Sequence, residues 1–206
     1  LILQGADPSI FTKGALLGIT GEGMESPRVT AGTASAFGGV SENLNGFGIP
    51  AGCCSDGPSG MRLDCGTKAF SLPNGTMIAS SFNKELTSEL FTFMGLEMAA
   101  NKVDCLLGPG MNIHRHPLNG RNFEYFSEDP FLTGKMAAAE LKGMAGAGVT
   151  GTIKHFCANN RETNRHFIDS VVSERALREI YLKGFEIAVK EGGASSVMTT
   201  YGIVNG

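Results

Sequence analysis

No pair of cysteines in this 206-residue sequence has the C-x-x-C spacing, no apolar run reaches about 18 residues, and neither sign of charge dominates. The first absence argues against a zinc ribbon. The second leaves no stretch long enough for a membrane-spanning helix. The third, a net charge of −3 with both signs scattered along the chain, gives no basic stripe for nucleic acid and no polybasic anchor for a membrane surface. Residue 1 is Leu, and no charged segment followed by an apolar one opens the chain, so no signal peptide is expected; the start reads as cut from something longer. No Gly-x-Gly-x-x-Gly turn follows any strand candidate, which argues against a dinucleotide-binding doubly wound sheet. Tryptophan is absent altogether.

What is present is a chain able to build a sizeable core, with 42% hydrophobic and 18% charged residues. The five cysteines are odd in number, two are adjacent, and Cys54, Cys105 and Cys157 lie in apolar runs. That pattern suits buried thiols in a reducing compartment better than a disulfide framework, so a cytoplasmic location is expected. The acceptor pattern Asn74-Gly75-Thr76 is too short to carry weight for glycosylation.

Residues 1 to 46 read as an irregular N-terminal segment preceding or covering the rest, with a short helix or strand over Phe11 to Ile19 and a Gly-, Ser- and Thr-rich loop over Gly21 to Gly39. From there the pattern sharpens. Strands are expected over Ile49 to Cys54, Thr76 to Ala79, Val103 to Leu107, from Val149 to Ile153, and over Ser195 to Thr200. Helices are expected from Asn83 to Ala100, with Leu86, Leu90, Phe93, Met94 and Met98 as the apolar stripe; from Asp129, a cap with Pro130 behind it, to Gly146; and from Ser173 to Gly192. Alternation at this rhythm predicts an α/β fold with parallel strands. A closed eight-fold barrel needs about 250 residues, so the chain reads as a partial (β/α)8 TIM-type barrel, roughly its first five βα units over residues 47 to 206. An unclosed barrel has an unpaired edge, and low solubility in isolation is expected of it.

In such a sheet the C-terminal strand ends share one face. The groups falling there are Asp56, Arg62, Arg121, Lys154, His155, Arg165 and Tyr201. A carboxylate that accepts hydroxyl protons, beside cations that donate to hydroxyl oxygens, suits a neutral sugar. The same cations also suit a phosphate or a carboxylate substrate. Asp56 in Ser-Asp-Gly-Pro equally suits holding its own turn. His114 and His116, with His155 and His166, offer nitrogens for a metal, but no carboxylate or cysteine stands at ligand spacing with them, so neither metal nor cofactor is assigned. Glu124, Glu128 and Asp129 are left out of catalysis, Asp129 as a helix cap and the two glutamates as partners for nearby arginines.

Together these pieces resemble a known family. Ser55-Asp56-Gly57-Pro58-Ser59-Gly60-Met61-Arg62, Gly108-Pro109-Gly110-Met111-Asn112-Ile113, the run Gly120 to Pro130, Lys154-His155-Phe156 with Asn160, Glu162 and Arg165, Ser173 to Tyr181, Val197-Met198 and Tyr201 occur in the order and spacing of the N-terminal barrel domain of family 3 glycoside hydrolases, the β-glucosidase and β-xylosidase branch. The resemblance runs from about residue 47 to the end. It implies a retaining, exo-acting β-glycosidase in which Asp56, Arg62, Arg121, Lys154, His155 and Arg165 line the −1 sugar subsite and Tyr201 stands near the nucleophile. The family's nucleophile is an aspartate in a Ser-Asp-Trp type motif on a later strand, and the acid/base glutamate lies in another domain. This chain, without tryptophan, has neither, so it is expected to be inactive without the remaining part of the enzyme. A β-xylosidase or arabinosidase and a non-catalytic sugar-binding barrel are the alternatives. The branch acting on N-acetylglucosaminides is disfavoured because Cys157-Ala158-Asn159-Asn160 stands where that branch has a glycine- and proline-containing sequence.

Overall fold

The computed structural model describes residues 52–63 and 65–206; the expectations for residues 1 to 46 and for the start of the first strand lie outside the described residues. In chain order the elements are β1 (Cys54–Asp56), α1 (Gly75–Ser80), α2 (Lys84–Ala100), β2 (Cys105–Leu107), α3 (Pro130–Gly146), β3 (Thr150–Phe156), β4 (Asp169–Ser170), α4 (Glu174–Ala176), α5 (Lys183–Gly192), β5 (Ser196–Thr199) and β6 (Ile203–Val204). A single 3-10 turn, Asn122–Glu124, precedes α3, and a π turn, Leu177–Tyr181, joins α4 to α5.

β1, β2, β3 and β5 form one sheet in that order, every pair parallel. Parallel neighbours in sequence order, each reached through a helix, are the arrangement of a partial α/β barrel. Leu106 and Ile153, both fully buried, belong to the same core as Phe91 and Met98 of α2 and Met136 and Met144 of α3. A Cβ built on Gly151 would lie 2.7 Å from Met144 and 2.9 Å from Leu141, so this face of β3 is the one turned to the helices. α2 and α3 pack closely because Gly143 has no side chain: a Cβ there would sit 2.3 Å from the Ser88 carbonyl oxygen.

The opposite face of the sheet is the inner one, and it carries a polar layer. Cys54 stands in register with Cys105, and their thiols are hydrogen-bonded. Cys105 Sγ lies 3.0 Å from Thr152 Oγ1, which in turn donates to Ser196 Oγ at 2.9 Å. One layer up, toward the C-terminal strand ends, stand Asp56 and Lys154.

The local stop and start signals hold. Asn83 Oδ1 accepts from Leu86 N at 2.9 Å, Asp129 Oδ1 accepts from Phe131 N at 2.7 Å and from Leu132 N at 3.0 Å, and Gly193 closes α5 in the left-handed region at φ 72°. Four expectations change. Thr76 to Ala79 is helical, within α1, because Asn74 Oδ1 caps Met77 N at 2.9 Å and Thr76 Oγ1 is spent on the carbonyls of Asn122 and Tyr125 at 2.9 and 3.0 Å. The same bonds occupy both polar residues of the glycosylation pattern. The sheet therefore has four strands among the described residues, not five. Lys154 and His155 lie inside β3 and not in a loop after it, since β3 runs on to Phe156. Leu86 and Phe93 are exposed at 54% and 63%, because the buried face of α2 passes through Thr87, Phe91, Met94, Gly95 and Met98. The short parallel pair of β4 with β6 had no visible periodic signal.

Candidate functional site

Asp56 ends β1, and the turn after it fixes its carboxylate. Gly57 adopts φ +120°, where a Cβ would fall 1.9 Å from the Gly60 carbonyl oxygen, and its N–H donates to Asp56 Oδ1 at 3.0 Å. Lys154, reaching from the middle of β3, donates its Nζ to the same oxygen at 2.9 Å. Burial pushes the Asp56 carboxyl up, but Lys154, the Gly57 N–H and Arg62 outweigh it and hold the group below its ordinary value of 3.8. The Asp56 side chain is still 39% exposed, while that of Lys154 is 3% exposed. The carboxylate is thus charged, oriented from behind and open in front.

Around it runs an alternating chain of charge. Glu124, 5% exposed, approaches Lys154 Nζ with Oε2 at 3.9 Å and binds Arg121 Nε closely with Oε1. Arg121 Nη1 stands 3.9 Å from Glu162 Oε1, and Glu162 Oε2 accepts from Arg165 Nη1 at 3.0 Å. Burial lowers the Arg121 guanidinium's affinity for its proton, and the bond to Glu124 more than restores it. The Arg165 guanidinium then stacks over the Tyr201 ring at 4.3 Å, and Tyr201 faces the His155 ring at 6.3 Å. Four stretches distant in sequence meet here, carrying Asp56, Arg121, the run with Lys154, His155, Glu162 and Arg165, and Tyr201.

His155 lies beneath this chain, 2% exposed. Its backbone is clamped by one side chain: His155 N donates to Asn112 Oδ1 and Asn112 Nδ2 donates to His155 O, both at 2.9 Å. Its Nδ1 lies 3.3 Å from the Tyr125 hydroxyl, which accepts from Asn159 Nδ2 at 3.1 Å. Burial, followed by the charges of Arg121, Lys154 and Arg165, pushes the imidazole down to about 2, so it is neutral at any working pH. Burial also raises the Tyr125 hydroxyl, which keeps its proton as a donor. The peptide bonds Lys154–His155 and Phe156–Cys157 are both cis.

Six of the seven residues singled out from the sequence are thus brought together. Arg62, the seventh, stands at the rim: its N–H donates to the Asp56 carbonyl at 2.8 Å, and its exposed side chain adds a positive charge that helps hold the Asp56 carboxyl down. His155 is buried below the opening instead of lining it. The other histidines diverge: His114 Nε2 lies 2.8 Å from the Asn122 carbonyl, His116 Nδ1 accepts from Leu118 N at 3.1 Å, and His166 packs edge-on against Tyr201. Tyr125, Asn112 and Asn159 had not been singled out as site residues. The i, i+3 spacing of Arg121 with Glu124 and of Glu162 with Arg165 was the available signal for the two glutamates. A cavity of about 470 Å³ opens beside the chain of charge, lined by His116, Asn119, Asn160, Arg161, Glu162 and Thr163 among others. Glu162 is the wall it shares with the site.

Comparison with known proteins gives this arrangement its context. The family described as glycosyl hydrolase family 3, N-terminal domain, matches residues 13–206, so the match begins ahead of the stretch in which the motifs are legible. A β-glucosidase of Ruminococcus albus is 80% identical over 188 residues, covering 91% of this chain and 20% of its own length. β-Glucosidase B of Emericella nidulans is 47% identical over 162 residues, 77% of this chain and 19% of its own. Among solved structures, a β-glucosidase from Paenibacillus barengoltzii superposes with a TM-score of 0.83 at 62% identity, over 90% of this chain and 20% of its own. β-Glucosidase 3B from Thermotoga neapolitana in complex with glucose superposes at 0.80 and 46% identity, over 87% of this chain and 26% of its own. The chain therefore spans about a fifth of the length of the curated relatives it matches. With the strand order, the clustered strand-end residues and these matches in hand, the chain belongs to glycosyl hydrolase family 3, as part of that family's N-terminal domain.

Proposed function

We propose that this chain holds the terminal, non-reducing sugar of a β-glucoside in the −1 position of an exo-acting, retaining β-glucosidase. The observation that carries the reading is the meeting of Asp56, Lys154, Arg121, Arg165 and Tyr201 at one opening in which carboxylates and cations alternate. A pyranose ring presents hydroxyls that both donate and accept. Asp56 accepts from them, Lys154 and the two arginines donate, and Tyr201, its ring stacked against Arg165, borders one side.

Retention at the anomeric carbon needs two carboxyl groups about 5 Å apart, one free to attack and one able to carry a proton. Glu124 and Glu162 are each bound to two cations, and Asp56 to Lys154. Carboxylates engaged in this way are poor nucleophiles, which supports placing both catalytic carboxyls in other parts of the enzyme. The chain's share of catalysis is then binding and orientation of the sugar. A cytoplasmic location is the setting proposed for its five thiols.

The test uses two proteins. The 206 residues alone are expected not to hydrolyse an aryl β-glucoside. Placed in the Ruminococcus albus β-glucosidase in exchange for the matching 188 residues, the same sequence is expected to support hydrolysis. In that chimera Asp56→Asn is expected to lower kcat/KM at least ~100-fold, the loss of charge-assisted hydrogen bonds at roughly 1.5–3 kcal/mol each. Hydrolysis by the isolated chain, or an unimpaired Asp56→Asn chimera, would sink the proposal.

A further inference from the structure

The sequence left open whether the cations of the site hold a neutral sugar, a phosphate or a carboxylate. The structure adds a charge balance. Three cations crowd the buried His155 and disfavour its protonation: Arg121, Lys154 and Arg165. Three carboxylates meet them in alternation, Asp56 on Lys154, Glu124 between Lys154 and Arg121, and Glu162 between Arg121 and Arg165. Asp56 faces the opening at 39% exposure. Glu124 and Glu162 do not share its posture: at 5% and 25% exposure their oxygens are already taken by the cations behind the opening. Arg62, exposed at the rim, adds a fourth positive charge that acts on Asp56 from the solvent side, and not on the buried set.

We propose that Glu124 and Glu162 are specificity-determining residues: they neutralise Arg121, Lys154 and Arg165, and so make the site select a neutral sugar over an anionic one of the same shape. The proposal rests on the sugar-binding reading above. An uncompensated cluster of three cations would draw an anion strongly, because the site is half-buried and opposite charges there attract at an effective dielectric well below that of water. Arginine pairs bind carboxylate and phosphate in two-point geometry when they are free to do so. The two glutamates occupy that capacity in advance. Selection of this kind works by repulsion and by prior occupation, and not by an added contact to the preferred sugar. Glu162 also forms the wall of the neighbouring cavity of about 470 Å³, so its charge faces both spaces.

The experiment uses the active chimera and two sugars that differ at one carbon, D-glucose and D-glucuronate. Each is measured as a competitive inhibitor of aryl β-glucoside hydrolysis, and by calorimetry so that a variant without turnover is still read. In the parent, glucose is expected to bind more tightly than glucuronate. Glu162→Gln and Glu124→Gln keep the shape and remove one negative charge each. Each is expected to shift the ratio of the two affinities toward glucuronate by about tenfold, and the shift is expected to shrink as salt is raised. A role confined to supporting the fold would weaken both sugars alike and leave the ratio unchanged. Glu124 is the more deeply packed, so if its variant fails to fold by circular dichroism, Glu162→Gln decides the matter. An unchanged ratio in folded Glu162→Gln, with glucose binding abolished in Asp56→Asn, overturns this inference and leaves the sugar-binding reading standing. Failure of glucose to compete in the parent chimera removes both.

Discussion

Glu140 sits where the packing of the chain and its chemistry conflict most. It lies on α3, 2% exposed, and its Oε2 has no hydrogen-bond partner. Burial raises its carboxyl well above the ordinary value of 4.5. The folded chain therefore keeps this proton to higher pH than the unfolded chain does, and the resulting stability is complete below about 4.5 and declines as pH rises above it. Thermal melts between pH 5 and 8 are expected to show the parent losing stability relative to Glu140→Gln as pH increases. Glu140→Met, similar in volume and without a polar group to desolvate, is expected to be more stable than the parent by roughly 1–3 kcal/mol at pH 8. Equal pH slopes in parent and Glu140→Gln would count against this account. Asp56 has the opposite linkage: its carboxyl is held down, so its contribution is present above 3.8 and fades as the pH falls below that. Residue types at strand ends made Asp56, Lys154 and Arg165 visible from sequence. Tyr125 and Asn112 were not, because a buried hydroxyl and a buried amide become informative only once the His155 ring and backbone they touch are in place.

At the scale of elements, what could be read was what is decided locally. Asn83, Asp129 and Ser173 each accept a hydrogen bond from a backbone N–H within three residues, so their roles need no tertiary contact. Asp129→Ala removes two such bonds and is expected to cost about 1 kcal/mol, within 0.5–2, while Ser173→Ala, with a single bond at 3.3 Å on a three-residue helix, is expected to cost less. The midpoints of urea denaturation check both, and a larger loss for Ser173→Ala would reverse the ranking. What could not be read was decided across the fold. Thr76 to Ala79 has strand-like composition over too few residues to show a period, and its helix is held by the distant carbonyls of Asn122 and Tyr125. β3 was legible only to Ile153 because Lys154 and His155 look like loop residues until the inner face of the sheet gives a polar side chain somewhere to go. The apolar stripe of α2 held at Leu90, Met94 and Met98 and missed at Leu86 and Phe93, because periodicity finds a face without fixing its edges, and Gly95 and Gly143 let α3 in close on the side of Thr87 and Phe91.

At the scale of the molecule, the sheet of β1, β2, β3 and β5 wraps its helices around one side and leaves the inner layer of Cys54, Cys105, Thr152 and Ser196 facing the space that further strands of a barrel would occupy. The two thiols of that layer are unequal. The hydrogen bond from Cys54 pulls Cys105 down to about 7, against the effect of burial and with help from Thr152, while Cys54 is pushed upward. Of the pair, Cys105 is therefore the more readily deprotonated. Mild alkylation with iodoacetamide, mapped by mass, is expected to mark Cys105 ahead of Cys54 in the 206-residue chain and to spare both in the chimera. Equal marking of Cys105 in the two proteins would refute that. The in-register sulfurs thus act as an inbuilt reporter: chemistry at a single atom tells whether the wall across the lumen has been put in place.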